Sequence, residues 1–221
     1  MDLTQLTRLP EMASRDRRAL DLLLDEAVVG HVALAATGGE NFQPVVLPTA
    51  IARDSDKVLI HGSTGSRWMR ALATGARAAL AVTALDGLVV ARSAFESSMR
   101  YRSAVIFGCC AVVGDAAEKS AALDLLTDKL LPGRVAEVRR PSAKELAATL
   151  VLTLPLDRWS FKVSDGWPED PPADVAGPAW AGVIPLRTVA DDPLPAPDLT
   201  PGIPVTASVR NLVRSRTTDQ P

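Results

Sequence analysis

The chain has few side chains suited to acid–base or metal chemistry. Its 221 residues include two histidines, two cysteines and one tyrosine, and aromatic residues make up only 4% of the whole. The cysteines are the adjacent pair Cys109 and Cys110, which cannot staple distant segments. With His31 and His61 as the whole imidazole supply, no zinc-site spacing can be written. A disulfide scaffold and a structural metal site are therefore excluded. Charge of one sign is missing too: 24 basic and 26 acidic residues leave a formal net charge of −2. Such a balance provides no field for a polyanion, so neither nucleic acid nor an anionic membrane is expected as partner. No stretch approaches the roughly 18 uncharged apolar residues of a membrane span. The segment from Met1 to Arg8 shows no basic run followed by an apolar one. A soluble, cytoplasmic protein is expected.

What is present is globular material. Hydrophobic residues make up 47% of the chain, mostly Ala, Val and Leu, and the length suffices for a sizeable core. Disorder throughout is excluded. Most of the 17 prolines lie beyond Trp167, where neither helix nor ladder hydrogen bonds can run for long. The chain thus divides into a body, 1–165, and a proline-rich tail, 166–221. The tail either wraps the body or a neighbouring subunit through Trp180, Val183, Ile184 and Leu186, or is disordered.

Within the body, Ser14 is a candidate N-cap, and Leu20, Leu23, Leu24, Ala27 and Val28 recur at helical spacing. Runs of strand character follow: His31–Thr37, Pro44–Arg53, Val58–His61, Arg77–Leu85, Leu88–Ser93 and Tyr101–Val113. Short polar breaks at Gly38–Asn41 and Asp54–Lys57 predict an antiparallel meander for the first three. A short helix is expected over 65–74 and another over 116–131, the latter with Leu123, Leu126, Leu130 and Leu131 on one face. Ser142 and Glu145 form a capping box, after which Thr149–Leu154 returns to extended structure. About seven strands with a few helices predict an α+β protein closed as a small antiparallel barrel.

Standard catalytic signatures are missing: there is no dinucleotide fingerprint, no Walker loop and no nucleophile elbow. Three segments stand out instead. The first is Leu59–Leu72, which reads strand, then the hydroxyl-rich turn His61-Gly62-Ser63-Thr64-Gly65-Ser66, then a helix opening on Arg67. Free backbone N–H groups, three hydroxyls and a guanidinium would there favour an anion. The same residues also fit a serine-capped helix with a solvated arginine. The second is Leu88–Ser103, where Arg92, Arg100, Arg102 and Tyr101 interrupt an apolar pattern; they either reach a ligand or partner, or line a solvated loop. The third is Pro44–Ala50, where Pro48 inside a strand demands an edge or a bulge. That edge either meets a flat ligand or is simply protected by its proline.

In this order and spacing, these strings resemble the pyridoxamine 5′-phosphate oxidase-related split-barrel flavoproteins, in particular the branch of the nitroimidazole-resistance proteins. The matching strings are Thr7–Glu11, Leu47–Thr49, Leu59–Ser63 with Ser66–Arg67, Asp86–Phe95 and Tyr101–Gly108. The resemblance implies a mainly antiparallel split β-barrel with flanking helices over 1–165, a homodimer, and FMN in clefts at the subunit interface. It implies that Gly65, Ser66 and Arg67 hold the FMN phosphate, and that Val46, Leu47, Pro48 and Thr49 run along the isoalloxazine edge. His61, Gly62 and Ser63 would lie at the ring or phosphate, and Tyr101 and Arg102 would approach from the second subunit. The expected function is a flavin-dependent oxidoreductase acting on a small molecule through N5 hydride transfer, with His61 as the best catalytic candidate. Alternatives are a flavin-binding storage or sensor protein, or a heme- or F420-binding relative on the same barrel. Two departures matter. Trp68 stands where the oxidase has a second phosphate-binding lysine, and the tail lacks the histidine that grips pyridoxal, which argues against vitamin B6 oxidation.

Overall fold

In a computed structural model, the structure describes residues 4, 5, 7, 9–36 and 43–217. The expected turn at Gly38–Asn41, together with Thr37 and Arg8, lies outside them. Helix α1, Arg17–Glu26, turns Leu20, Leu23 and Leu24 into the core. Its N-cap is Asp16 rather than Ser14. The Asp16 carboxylate accepts from the N–H groups of Arg18 and Ala19, while the Ser14 hydroxyl accepts from Asp16 N–H, one step upstream.

Strands β1 (Val29–Ala36), β2 (Gln43–Asp54) and β3 (Lys57–Ser63) form the expected meander, followed by the short helix α2, Arg67–Ala73. Strand β4 runs unbroken from Arg77 to Val90, where the sequence predicts two strands. Asp86-Gly87 reads as a turn, yet it is a bulge against β5, Ser98–Cys109. The Asp86 carboxylate takes a bidentate pair of hydrogen bonds from Arg102, and the extra residue is absorbed as local twist.

The strand expected to run on to Val113 breaks at the buried Cys110, and β6, Ala111–Val112, moves to a different neighbour. Helix α3, Ala116–Leu130, buries only Leu126 fully. The Ser142–Glu145 capping box opens α4, Ala143–Ala148, and β7, Thr149–Pro155, follows. Strand β8, Trp159–Ser164, is one the sequence reading missed. It carries a single buried residue, Phe161, between half-buried neighbours.

The antiparallel sheet has the order β6-β7-β3-β2-β1-β4-β5-β8 and curls into a split barrel with flanking helices, an α+β fold. Its interior is one apolar cluster in which Leu20, Leu24, Val32, Ile60, Met69, Leu80 and Ile106 are fully buried. A smaller cluster of Ala52, Leu59 and Leu126 lies under α3, on the other side of the sheet.

The tail contributes regular structure. Strand β9, Gly182–Pro185, pairs Val183 and Ile184 with Val89 and Leu88, on the half of β4 that β1 leaves free. Trp180, by contrast, stands exposed. The start of the tail is pinned by Asp170, whose fully buried carboxylate accepts from the backbone N–H and guanidinium of Arg92. Arg100 adds a bond to Gly166 O and stacks 4.9 Å from the Trp167 ring. The tail ends in α6, Ala207–Thr217.

Candidate functional site

The site is a gap in the sheet, and strand register creates it. Strands β2 and β3 pair only from Asp54↔Lys57 to Ile51↔Ile60. Beyond that, β2 continues along β1 and β3 continues along β7. Ala50 and His61 are the first residues past the last pair, so they open the two walls of a cleft.

Hydrogen-bond alternation sets what lines those walls. Ile51 N–H donates to Val28 O, so the odd residues of β2 turn their amide edge toward β1. Those of Pro44, Val46, Pro48 and Ala50 face the opening. On β3, Thr64 N–H donates to Ala148 O, which turns the edges of His61 and Ser63 toward β2. Both proline rings thus sit where an N–H would have no strand partner, which explains why a mid-sheet strand tolerates them. Val46 is 61% exposed. The cleft therefore presents backbone donors and acceptors on two sides, which suits a flat heteroaromatic ring with a polar edge.

At its far end the chain turns through Ser63–Ser66 into α2. The Ser63 hydroxyl accepts from Gly65 N–H at 3.1 Å, and Ser63 O accepts from Ser66 N–H at 3.0 Å. Gly62 permits this packing, because a Cβ there would lie 2.8 Å from Met69 Cγ. Arg67 and Arg70 are three residues apart on α2, hence on one face. Both are exposed and make no ion pair among the described residues. Arg70 is the site residue that sequence reading passed over, and the signal was its spacing from Arg67. It is a second cation in a helix whose position 68 carries no lysine. Trp68 itself packs against the core.

His61 lies on the same sheet face as Leu59 and the exposed row of β2. Its Nδ1 is buried and makes no hydrogen bond among the described residues. Burial lowers its pKa below the ordinary value, so the imidazole is held neutral. A neutral ring with a free buried nitrogen is fitted to accept a proton, a hydrogen bond or a metal ion. His31 stands exposed on the outer face of β1, opposite Pro48 and Ala81.

Of the expected site residues, Val46, Pro48, His61 and Ser63 turn their backbone edges to the opening, with Ser66 and Arg67 at the turn beyond. Leu47 and Thr49 turn theirs toward β1, Leu47 packing against the core, and Gly62 turns its edge toward β7 and its Cα toward Met69. Tyr101 and Arg102 lie on β5, with β1 and β4 intervening. Tyr101 faces outward, with Lys162 Nζ 5.7 Å from its ring centre. The Arg102 guanidinium is held inside the barrel end by Asp86 and Glu26, both at 2.8 Å, and these bonds raise its pKa.

Comparison with known proteins places the fold in a family. The profile of the pyridoxamine 5′-phosphate oxidase family matches residues 16–163. No curated protein gives a match. Among solved structures, the chain is similar to the FAD and heme binding protein from Mycobacterium smegmatis. The two share 51% identity and a TM-score of 0.86, over 91% of this chain and 97% of the other. It is similar to the flavocytochrome Anf3 from Azotobacter vinelandii at 35% identity and a TM-score of 0.87, over 96% and 97% of the two chains. A 5-nitroimidazole resistance protein from Bacteroides thetaiotaomicron shares the fold at 20% identity and a TM-score of 0.58, over 68% of this chain and 86% of the other. With a family profile spanning most of the barrel and relatives matched over nearly their whole length, the chain belongs to the pyridoxamine 5′-phosphate oxidase family.

Proposed function

We propose that this protein is a flavin-dependent oxidoreductase acting on a small molecule, with the flavin in the β2–β3 cleft. The observation that carries the reading is the juxtaposition of two strand edges and the guanidiniums of Arg67 and Arg70, all of them unpaired among the described residues. The strand edges fit the polar rim of an isoalloxazine, and the arginines fit its phosphate. A bound flavin supplies hydride transfer through N5, and the protein supplies orientation and electrostatics. The family pattern implies FMN. The name of the Mycobacterium smegmatis relative, an FAD and heme binding protein, favours FAD, and two arginines suit a pyrophosphate as well as a single phosphate.

The reading includes a homodimer. The outer face of β1, β4 and β5 carries Val29, Ala81, Leu85 and Val105, small or apolar residues of which Val29 and Leu85 are substantially exposed. Tyr101 lies on that face and would reach a partner's cleft, whereas Arg102 would have to leave Asp86 and Glu26 to do so.

A second reading adds a heme, and His61 favours it. Its Nδ1, buried and without a hydrogen-bond partner among the described residues, would hold the heme iron, and the neutral ring leaves that nitrogen's lone pair available. Absorption spectroscopy of the purified protein, with mass identification of what denaturation releases, tests both readings. Flavin bands are expected, and a Soret band lost in His61→Ala would add the heme. Colourless protein that takes up neither FMN nor FAD would refute the function.

A further inference from the structure

The hairpin of β4 and β5 carries complementary features at its two ends. At one end, where Arg77 pairs with Cys109, the outer sheet face holds a hollow of 620 Å³ over Ala33, Ala79 and Phe107. Arg77 and Arg158 rim it, and neither makes an ion pair among the described residues. Arg17, Arg53, Arg92, Arg102, Arg134, Arg139 and Arg140, by contrast, all hold carboxylates. An apolar floor beside two guanidiniums fits an aromatic side chain with a carboxylate next to it.

The other end of the hairpin presents that pair of groups, on the loop 91–97. Phe95 is 92% exposed, and the adjacent Glu96 makes no ion pair among the described residues. Hydrogen bonds hold the loop in shape: Ala91 N–H donates to the Ser97 hydroxyl, that hydroxyl donates to Ser93 O, and Glu96 N–H donates to the Ser93 hydroxyl. Its base is pinned by the Arg92–Asp170 pair. A loop already ordered loses little entropy on docking. Within one chain the tip cannot reach the hollow, because the length of β4, from Arg77 to Val90, separates them by about 40 Å.

We propose that the Phe95–Glu96 tip of each copy docks into the hollow of a second copy, with Phe95 over Ala79 and Phe107 and Glu96 between Arg77 and Arg158. This rests on the homodimer reading above and names the contact that makes the dimer. A two-fold interface is isologous, so a tip and a hollow at opposite ends of one strand pair each meet their counterpart on the partner. Leu85, exposed on the same face near the middle of β4, then lies beside the two-fold axis. The hollow adjoins the flavin cleft through Pro44 and the Ala33–Val46 pair. The docked tip therefore walls that end of the partner's cleft.

The full-length protein is followed by sedimentation velocity over a concentration series. Wild type is expected to be a dimer. Glu96→Arg, and separately Arg77→Glu with Arg158→Glu, should each raise the dimer Kd by about tenfold or more, and the three substitutions together should restore it. Cys109 gives a second readout, since it is free, exposed and lines the hollow, whereas Cys110 is buried. In Ala94→Cys, which keeps Phe95 and Glu96, diamide should take two electrons and two protons from the new thiol and Cys109 of the second copy. A disulfide-linked dimer then appears on a non-reducing gel, and Ala94→Cys with Cys109→Ser should not form it. A wild-type dimer whose Kd the charge variants leave unchanged, or an Ala94→Cys dimer that diamide does not link through Cys109, would overturn the docking and leave the homodimer standing. A wild type monomeric at every concentration would overturn both, and its titration with FMN and FAD would still test the cleft by itself.

Discussion

The carboxylate of Glu137 caps the last helix of the chain from 71 residues away. It accepts from the backbone N–H of Ser208 at 2.9 Å and from the Ser208 hydroxyl. Arg134, one turn earlier, reaches Thr206 on the same helix end. These bonds hold the Glu137 pKa down to about 2, with the Ser208 hydroxyl bond the largest cause. The sign follows from linkage: a depressed carboxylate contributes stability above its ordinary pKa, and loses it as pH falls from there toward 2. Glu137→Ala is expected to free α6. Hydrogen exchange across Ala207–Thr217 should then be fast at neutral pH, and in the wild type it should quicken only as pH drops below about 4.5. Protection unchanged by the substitution would show that other contacts hold the helix.

The Arg92–Asp170 pair anchors the other end of the tail. Removing the buried carboxylate leaves a backbone N–H and a guanidinium without their acceptor. Asp170→Ala is therefore expected to lower unfolding free energy by about 1–3 kcal/mol in urea denaturation. It should also raise protease sensitivity between Trp167 and Pro185.

Gly62→Ala tests how the cleft is shaped. The added methyl meets the fully buried Met69 at its Cγ, so α2 must shift rather than one flexible side-chain end. The expected cost is about 1–3 kcal/mol of stability, as for overpacking elsewhere. Flavin affinity should fall as well, because Arg67 and Arg70 ride on the displaced helix.

His61 predicts a pH dependence of opposite origin to that of Glu137. Its pKa is lowered in the folded state by burial, so the unfolded chain takes up a proton first. Stability is intact above about 6.5 and declines as pH falls below it. His61→Gln is expected to flatten that decline, measured as Tm against pH between about 7 and 5. An unchanged slope would mean that the ring is not held neutral.

Much of this architecture was legible in the sequence because local signals and tertiary packing agree. Leu20, Leu23 and Leu24 at helical spacing do face the core, the Ser142–Glu145 box does open a helix, and the strand–turn–helix through Gly62 and Arg67 is where it was expected. The failures share a cause, namely long-range partners. Asp86-Gly87 imitates a turn until Arg102 and β9 hold it in the sheet. A Cβ on Gly87 would lie 2.9 Å from Ile184 O, a contact no local window reveals. Strand β9 has its partner more than ninety residues upstream in β4, so proline content alone spoke against it. In the site, Pro48 announced an edge or a bulge, but only register shows that this edge opens onto His61. Arg70 carries no local motif of its own, and its place beside Arg67 follows only from the helical spacing of α2.

The most direct test of the central claim is a flavin titration of the apoprotein, with FMN and with FAD, in wild type, Arg67→Ala and Arg67→Ala/Arg70→Ala. Each guanidinium–phosphate contact is worth about 1.5–3 kcal/mol. The single variant is expected to bind about tenfold to a hundredfold more weakly, and the double variant more weakly still. Affinity in both variants equal to wild type would place the flavin phosphate elsewhere and contradict the account.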